Sequence, residues 1–170
     1  MNTLRRVFGE FKEATRKHGY EAPPEQIGWS LPIYVGETDE QAVAEARPHL
    51  EHLFNVGLRM PKNLFFPAGY LTPQGMARIM AAKSGLVAGG MTIETLMEKG
   101  FVAVGSAETV RRQIEDVQQE LGFGTLVANF HFATMPHEQF TQSLHRFADH
   151  VLPALRELGK PREAAGAAAA

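Results

Sequence analysis

The chain has 170 residues, of which 44% are hydrophobic and 21% are charged, a balance that predicts one globular domain. Its 17 Lys and Arg residues nearly match its 19 Asp and Glu residues, so the net charge is −2 and the basic excess of a nucleic-acid-binding protein is absent. It contains no cysteine, which excludes disulfides, thiolate metal ligands and a cysteine nucleophile.

The sequence also lacks signals for a membrane. No stretch approaches the roughly 18 apolar residues that a membrane span requires, and the first residues lack the apolar core of a signal peptide. Together with the absence of cysteine, this favours a cytoplasmic protein with neither membrane nor nucleic acid as a partner. Residues 159–170 are mostly Ala and Gly and predict a disordered tail after a domain at residues 1–158.

The first predicted elements are a helix that ends near Gly19 and a strand at residues 27–36. The helix is indicated by apolar residues at the spacing of one helix face, namely Leu4, Val7, Phe8, Phe11 and Ala14. In the strand the odd positions are all large and apolar, and the even positions are small or polar-tipped. This period of two predicts one apolar face and one tighter or wetter face. Pro32 lacks an N–H donor, which predicts a bulge or a break in pairing.

A second helix and an irregular insertion follow. Thr38 is a suitable N-cap for the helix, whose predicted buried stripe consists of Val43, Ala46, Leu50 and Leu53. From about residue 55 to residue 100, Gly and Pro interrupt the pattern, leaving two short predicted helices at residues 74–83 and 92–99. A long irregular insertion inside a compact domain is usually a functional lid or a mobile loop.

The last part of the chain alternates strand and helix. Residues 101–105 predict a short strand, Ser106 caps the next helix, residues 125–132 predict a second clear strand, and residues 136–158 predict a closing helix. This alternation predicts an α/β fold with parallel strands joined by helical crossovers.

Three stretches resemble motifs of the luciferase-like monooxygenase family, which includes bacterial luciferase and alkanesulfonate monooxygenase. Residues 35–42 read Val-Gly-Glu-Thr-Asp-Glu-Gln-Ala, and residues 104–110 read Val-Gly-Ser-Ala-Glu-Thr-Val. Residues 143–155 resemble the closing helix of the family, with Phe147, Ala148, Val151, Pro153 and Leu155 at matching positions. Ala107 departs from the pattern, because the family usually has proline there.

The resemblance implies a partial (β/α)₈ TIM barrel that comprises only the C-terminal helix-strand units. Residues 27–36 and 125–132 would be its last two main strands, and the insertion at about 55–100 would be a mobile lid over the active site. A complete barrel needs about 250 residues, so by this resemblance the earlier strands would be absent and the chain would be an incomplete enzyme. Whether it is a natural short protein or a fragment stays open.

By the same resemblance, the function is part of a flavin-dependent monooxygenase that acts on a small organic substrate with O₂. The cofactor would be reduced FMN or the deazaflavin F420, with no metal, and the sequence does not discriminate between the two. Most residues that hold flavin in the family lie in the missing part, so none is carried over to this chain.

If residues 125–132 form a barrel strand, Val127, Asn129 and His131 point into the barrel near its C-terminal mouth, where barrel enzymes place their sites. His131 is the candidate catalytic residue, because a histidine there could donate to flavin or substrate oxygens or move a proton. Tyr34 occupies the equivalent position on the earlier strand. The alternatives are a hydrogen-bonded histidine that fills the mouth and a structural tyrosine bonded across the barrel.

Two further features have a chemical and a structural interpretation. His49 and His52 have the i, i+3 spacing of helical metal ligands, but a solvated helix face explains them without a metal. Ser106 begins a helix and could bind an anion there, although N-capping also explains it.

Two other functional classes stay open. The chain could be a non-catalytic remnant or association module, whose exposed strand edges another chain or a homo-oligomer would cover. It could also be a separate α/β binding domain that has no relation to flavin enzymes and is a stable monomer.

Overall fold

A computed structural model describes residues 2–58, 69, 72–75, 77 and 90–158. It contains a parallel sheet of three strands, β1 at Gly28–Val35, β2 at Ala103–Gly105 and β3 at Thr125–Asn129, in the order β2-β1-β3. The sheet and its crossover helices confirm the predicted α/β class. Within the described ranges, no helix combines the length and the apolar character needed to cross a bilayer.

Six α-helices with bounds inside the described residues accompany the sheet. They are α1 at Asn2–Lys17, α2 at Asp39–His52, α3 at Ile93–Glu98, α4 at Ala107–Leu121, α5 at His137–Arg146 and α6 at Leu152–Leu158. A π-helical segment at Leu53–Gly57 extends α2, and another at Phe147–Val151 joins α5 to α6. The second π-helical segment ends two residues before Pro153, which cannot donate the helical hydrogen bond to the carbonyl four residues earlier.

Strand β1 is the centre of the sheet and has a different neighbour along each half. Its first half, Gly28 to Pro32, pairs in parallel with β3, and its second half, Ile33 to Val35, pairs in parallel with β2. The predicted parallel neighbourhood of the two long strands is thereby confirmed. The pairing with β3 ends at Pro32, the residue at which a bulge or a break was predicted.

One face of the sheet carries the main hydrophobic core. The odd residues of β1 pack there against α1, α4 and the closing helices, with Trp29 edge-on to Phe123 at 5.4 Å between ring centroids. Phe130 lies edge-on to Phe147 at 4.9 Å on the same side. Leu126 and Ala128 of β3, and Phe130 just after it, pack against this core, whereas Phe132 packs in the second core.

A second core covers the C-terminal half of the opposite face. Buried residues of α2 and α3 pack there against Tyr34 of β1, Val104 of β2 and Phe132 after β3. The buried residues of α2 are Ala42, Ala46 and Leu50, whereas Val43 and Leu53 of the predicted stripe are only partly buried. In the N-terminal half of this face, Gly28 and Ser30 are exposed to solvent.

The predicted apolar face of α1 is only partly covered. Phe8 is buried, whereas Val7 is 45% exposed and Phe11 is 38% exposed. The spacing identified an amphipathic helix correctly, but these two side chains lie beside the contact surface.

Part of the predicted insertion and tail cannot be compared with the structure. The helix predicted at 74–83 lies outside the described residues except for Gln74, Gly75 and Ala77, and so does the whole tail at 159–170. The helix predicted at 92–99 is confirmed by α3.

Candidate functional site

An exposed sheet face lies where β1 and β3 pair. Asn129 and Ser30 meet there, because the side-chain amide of Asn129 donates to the Ser30 hydroxyl with 3.2 Å between Nδ2 and Oγ. Val127, two residues earlier on β3, is 48% exposed on the same side. We call the surface of Gly28, Ser30, Thr125, Val127 and Asn129 the open face; these five side chains are all uncharged.

His131 lies beyond the end of β3, since the strand stops at Asn129. Its side chain is exposed, and its ring meets the Phe140 ring edge-on, with 5.3 Å between centroids. Phe140 packs in turn against the second core. The contact with Phe140 orients the imidazole at the C-terminal end of the sheet while leaving it in reach of solvent.

Tyr34 is separated from the open face by burial. It has no exposed surface, and its hydroxyl donates to Glu45 Oε2 at 2.6 Å. Gln41 donates to the other carboxylate oxygen of Glu45 at 2.9 Å, which fixes the acceptor. Burial, and then the hydrogen bond to Glu45, raises the pKa of Tyr34, so the phenol stays protonated at neutral pH. In this arrangement Tyr34 bonds to α2 and is closed to solvent.

The C-terminal end of β1 is held by the closing helix. The backbone N–H of Val35 donates to Ser143 Oγ at 2.8 Å, and both residues are fully buried. Arg146, one turn later, donates to Glu37 Oε1 at 2.9 Å and approaches the Val35 carbonyl at 3.5 Å. Because β3 no longer pairs here, Ser143 satisfies a strand N–H that would otherwise lack a partner.

Asp39 joins the start of α2 to the start of α4. Its carboxylate accepts from the Ser106 backbone N–H at 2.6 Å and from the Thr109 hydroxyl at 3.0 Å. The Ser106 N–H holds the pKa of Asp39 below its usual value. The N-terminus of α4, where an anion could have bound, is therefore occupied by a carboxylate of the chain itself, and Ser106 also caps the helix through its hydroxyl.

Two glycines make this junction possible. A Cβ on Gly36 would lie 2.8 Å from Ala42 Cβ and 2.9 Å from the Ala42 backbone nitrogen, so only glycine lets α2 start this close to β1. A Cβ on Gly105, which has a φ of +155°, would lie 2.8 Å from Asp39 Oδ1. All three family-like stretches thus meet at the end of β1 and serve the packing of the fold.

The two helical histidines have different surroundings. His49 is half-buried, and its Nδ1 lies 2.8 Å from the Thr134 hydroxyl, whereas His52 is exposed. Burial lowers the pKa of His49. Across the described ranges, no group of three His, Cys, Asp or Glu side chains is placed to hold a metal ion.

The base of the insertion is closed by contacts that the sequence did not indicate. Asn55 forms two hydrogen bonds with the backbone of Met91, accepting from its N–H at 2.7 Å and donating to its carbonyl at 3.0 Å. Glu51 accepts from the Ile93 N–H at 3.0 Å. An asparagine near the start of an insertion was the only available signal, and it did not specify a partner 36 residues away.

The comparisons with known proteins support a fold relationship. No protein-family model matches the chain, and no curated protein is significantly similar in sequence. Among solved structures, the monooxygenase RslO1 from Streptomyces bottropensis is similar, with a TM-score of 0.56 and 19% identity over 91% of this chain and 38% of that chain.

A second similar structure is the oxygenating constituent of 3,6-diketocamphane monooxygenase from Pseudomonas putida. It is a type II Baeyer-Villiger monooxygenase in complex with FMN, with a TM-score of 0.53 and 21% identity over 88% of this chain and 39% of that chain. The chain therefore spans about two fifths of the length of both monooxygenases. At these identities the similarity shows a shared α/β fold.

Proposed function

We propose that the chain is the C-terminal portion of a luciferase-like (β/α)₈ barrel and contributes one wall of a flavin-dependent monooxygenase site. The observation that carries the proposal is the open face, an uncovered sheet surface opposite the helices that presents an amide and a hydroxyl. The fold similarity to two monooxygenases, one of them bound to FMN, supports it. A further segment or another chain would supply the remaining strands.

The side chains of the open face fit a flat, neutral ring better than an anion. Asn129 and Ser30 offer hydrogen-bond donors and acceptors without charge, as the edge of a flavin ring requires. A phosphate group would find no free helix N-terminus at α4, because Asp39 occupies it. The phosphate would accordingly be held by the part of the barrel that lies outside this chain.

His131 is the proposed proton-transfer residue. Its exposed imidazole lies after the C-terminal end of β3, the end at which barrel enzymes act. When bound, the reduced flavin would supply the electrons for the reaction with O₂. His131 would donate a hydrogen bond to a substrate or flavin oxygen, or accept a proton from the substrate or the flavin. Tyr34, bonded to Glu45, would keep the C-terminal end of β1 rigid.

Flavin binding tests this proposal. Reduced FMN and reduced F420 are titrated anaerobically with the purified chain, and the absorbance and fluorescence of each cofactor are followed. We expect saturable binding of one of them, weakened by Asn129→Ala and by His131→Ala. The control is His150→Ala, which removes another exposed histidine from the closing helix. Equal binding by the His131 and His150 variants would contradict the assignment of His131.

A second candidate function is a non-catalytic association module of the same fold. The free edge of β3 favours it, because an unpaired strand edge is a surface for another strand. Association of the chain with no spectral change in either flavin would support this candidate and reject the first.

A further inference from the structure

Strand β3 has an unpaired edge. In the described chain it pairs only with β1, and the Thr125 N–H donates toward β1, to Ile27 O at 3.2 Å. Consecutive residues of a strand direct their backbone groups to opposite sides. The N–H and C=O groups of Leu126 and Ala128 therefore point away from β1, toward the free edge.

This edge lacks the features that usually protect an edge strand. Proteins block such edges with charged side chains, proline or β-bulges. The strand reads Thr-Leu-Val-Ala-Asn and pairs with β1 over five consecutive positions without a bulge. The flanking residues from Gly124 to Phe132 include no Lys, Arg, Asp or Glu. The edge is thus available for pairing with another strand.

We propose that the free edge of β3 pairs, in the chain by itself, with β3 of a second copy in antiparallel orientation. A two-fold axis at Ala128 places Leu126 opposite Phe130 of the copy. In this register the residues whose backbone groups point toward the free edge lie opposite one another. Their N–H and C=O groups therefore form hydrogen bonds between the two copies. The six strands of the two copies then form one continuous sheet.

The side chains and charges are compatible with this pairing. Leu126, Ala128 and Phe130 are apolar and only partly buried at the border of the main core. Each would be covered further by its counterpart on the second copy, which adds apolar burial to the backbone bonds. Because the edge strand and the open face carry no Lys, Arg, Asp or Glu, no such like charges oppose each other when two copies approach.

The oligomeric state tests the inference, and it does so independently of flavin. Sedimentation velocity over a concentration series should show a monomer–dimer equilibrium of the full chain. Ala128→Pro should weaken self-association by about tenfold or more, because proline removes the central edge donor. Its circular dichroism should match the parent chain, since the Ala128 N–H does not bond to β1.

Val56→Lys is the matched control. Val56 is 55% exposed and lies in the π-helical segment after α2, outside β3. Its replacement should leave the monomer–dimer equilibrium unchanged. If self-association came from nonspecific contacts between exposed apolar side chains, Val56→Lys would weaken it. Hydrogen exchange adds a readout that needs no variant, because the amides of Leu126 and Ala128 should become protected as concentration rises.

Three results would each overturn the inference. They are a chain that stays monomeric at all concentrations, a folded Ala128→Pro variant that dimerises like the parent, and edge amides whose exchange is independent of concentration. A monomeric chain would leave the edge of β3 to the remaining strands that the proposed function requires.

Discussion

The hydrogen bond between Ser143 and Val35 offers the sharpest test of how the fold is held together. Ser143→Ala removes the acceptor of the Val35 N–H, which lies at 2.8 Å in a fully buried position. A neutral hydrogen bond contributes about 1 kcal/mol net, and a stranded buried donor costs about 1–3 kcal/mol. We therefore expect a loss of about 2 kcal/mol in the free energy of unfolding, or roughly 4–8 °C in Tm for a chain of this size.

Urea denaturation followed by circular dichroism measures this loss, with Ser30→Ala as the control. Ser30 is exposed and its hydroxyl bonds only to the exposed side chain of Asn129 among the described contacts, so its replacement should change stability by less than about 0.5 kcal/mol. If the two variants unfold at the same urea concentration, Ser143 does not hold β1 to the closing helix and the reasoning is refuted.

Three further changes test other contacts, each by thermal or urea unfolding. Asp39→Ala should lower the free energy of unfolding by about 1 kcal/mol at pH 7. The Ser106 N–H lowers the pKa of Asp39, so the carboxylate stays charged in the folded chain above about pH 4. The difference in stability from the parent should therefore persist above about pH 4 and vanish as pH falls through the lowered pKa. Ala133→Gly should stabilise by about 0.5–1 kcal/mol, since Ala133 has a φ of 52°, and unchanged or lower stability would argue against that backbone conformation. Asn55→Ala should cost about 2 kcal/mol by breaking both bonds to Met91, and intact stability would show that the insertion is closed by other contacts.

Local signals in the sequence were sufficient for the elements themselves. The alternation in residues 27–36 identified β1 and its apolar face, because every odd side chain there is large enough to require burial. Thr38 and Ser106 marked the starts of α2 and α4, as both cap through their hydroxyls, and Gly122 ended α4 with a φ of +64°. The parallel direction of β1 and β3 followed from the alternation of strands and helices, and their neighbourhood from the family resemblance.

Side-chain partners far apart in sequence could not be predicted in this way. Ser143 and Val35 are 108 positions apart, and the pattern of the closing helix gives no reason to expect a buried serine to bind a strand end. The alternation placed Tyr34 on the even face of β1 but could not show that α2 folds over the C-terminal half of that face. Because α2 covers that half, Tyr34 bonds to Glu45 inside the second core, whereas Asn129 and Ser30 form their hydrogen bond at the exposed half.

The residues behind the family resemblance mainly build the junction at the end of β1. Asp39, Gly105 and Ser143 each have a packing or hydrogen-bonding role that any chain with this arrangement of strand and helices would require. Such residues carry information about the fold more directly than about the reaction, since one fold can support many activities. Asn129 and His131, the proposed contact residues for a flavin or a substrate, belong to none of the three stretches. Chemistry at Asn129 and His131 is therefore a separate hypothesis from the fold, and variants at these two positions test it without disturbing the junction.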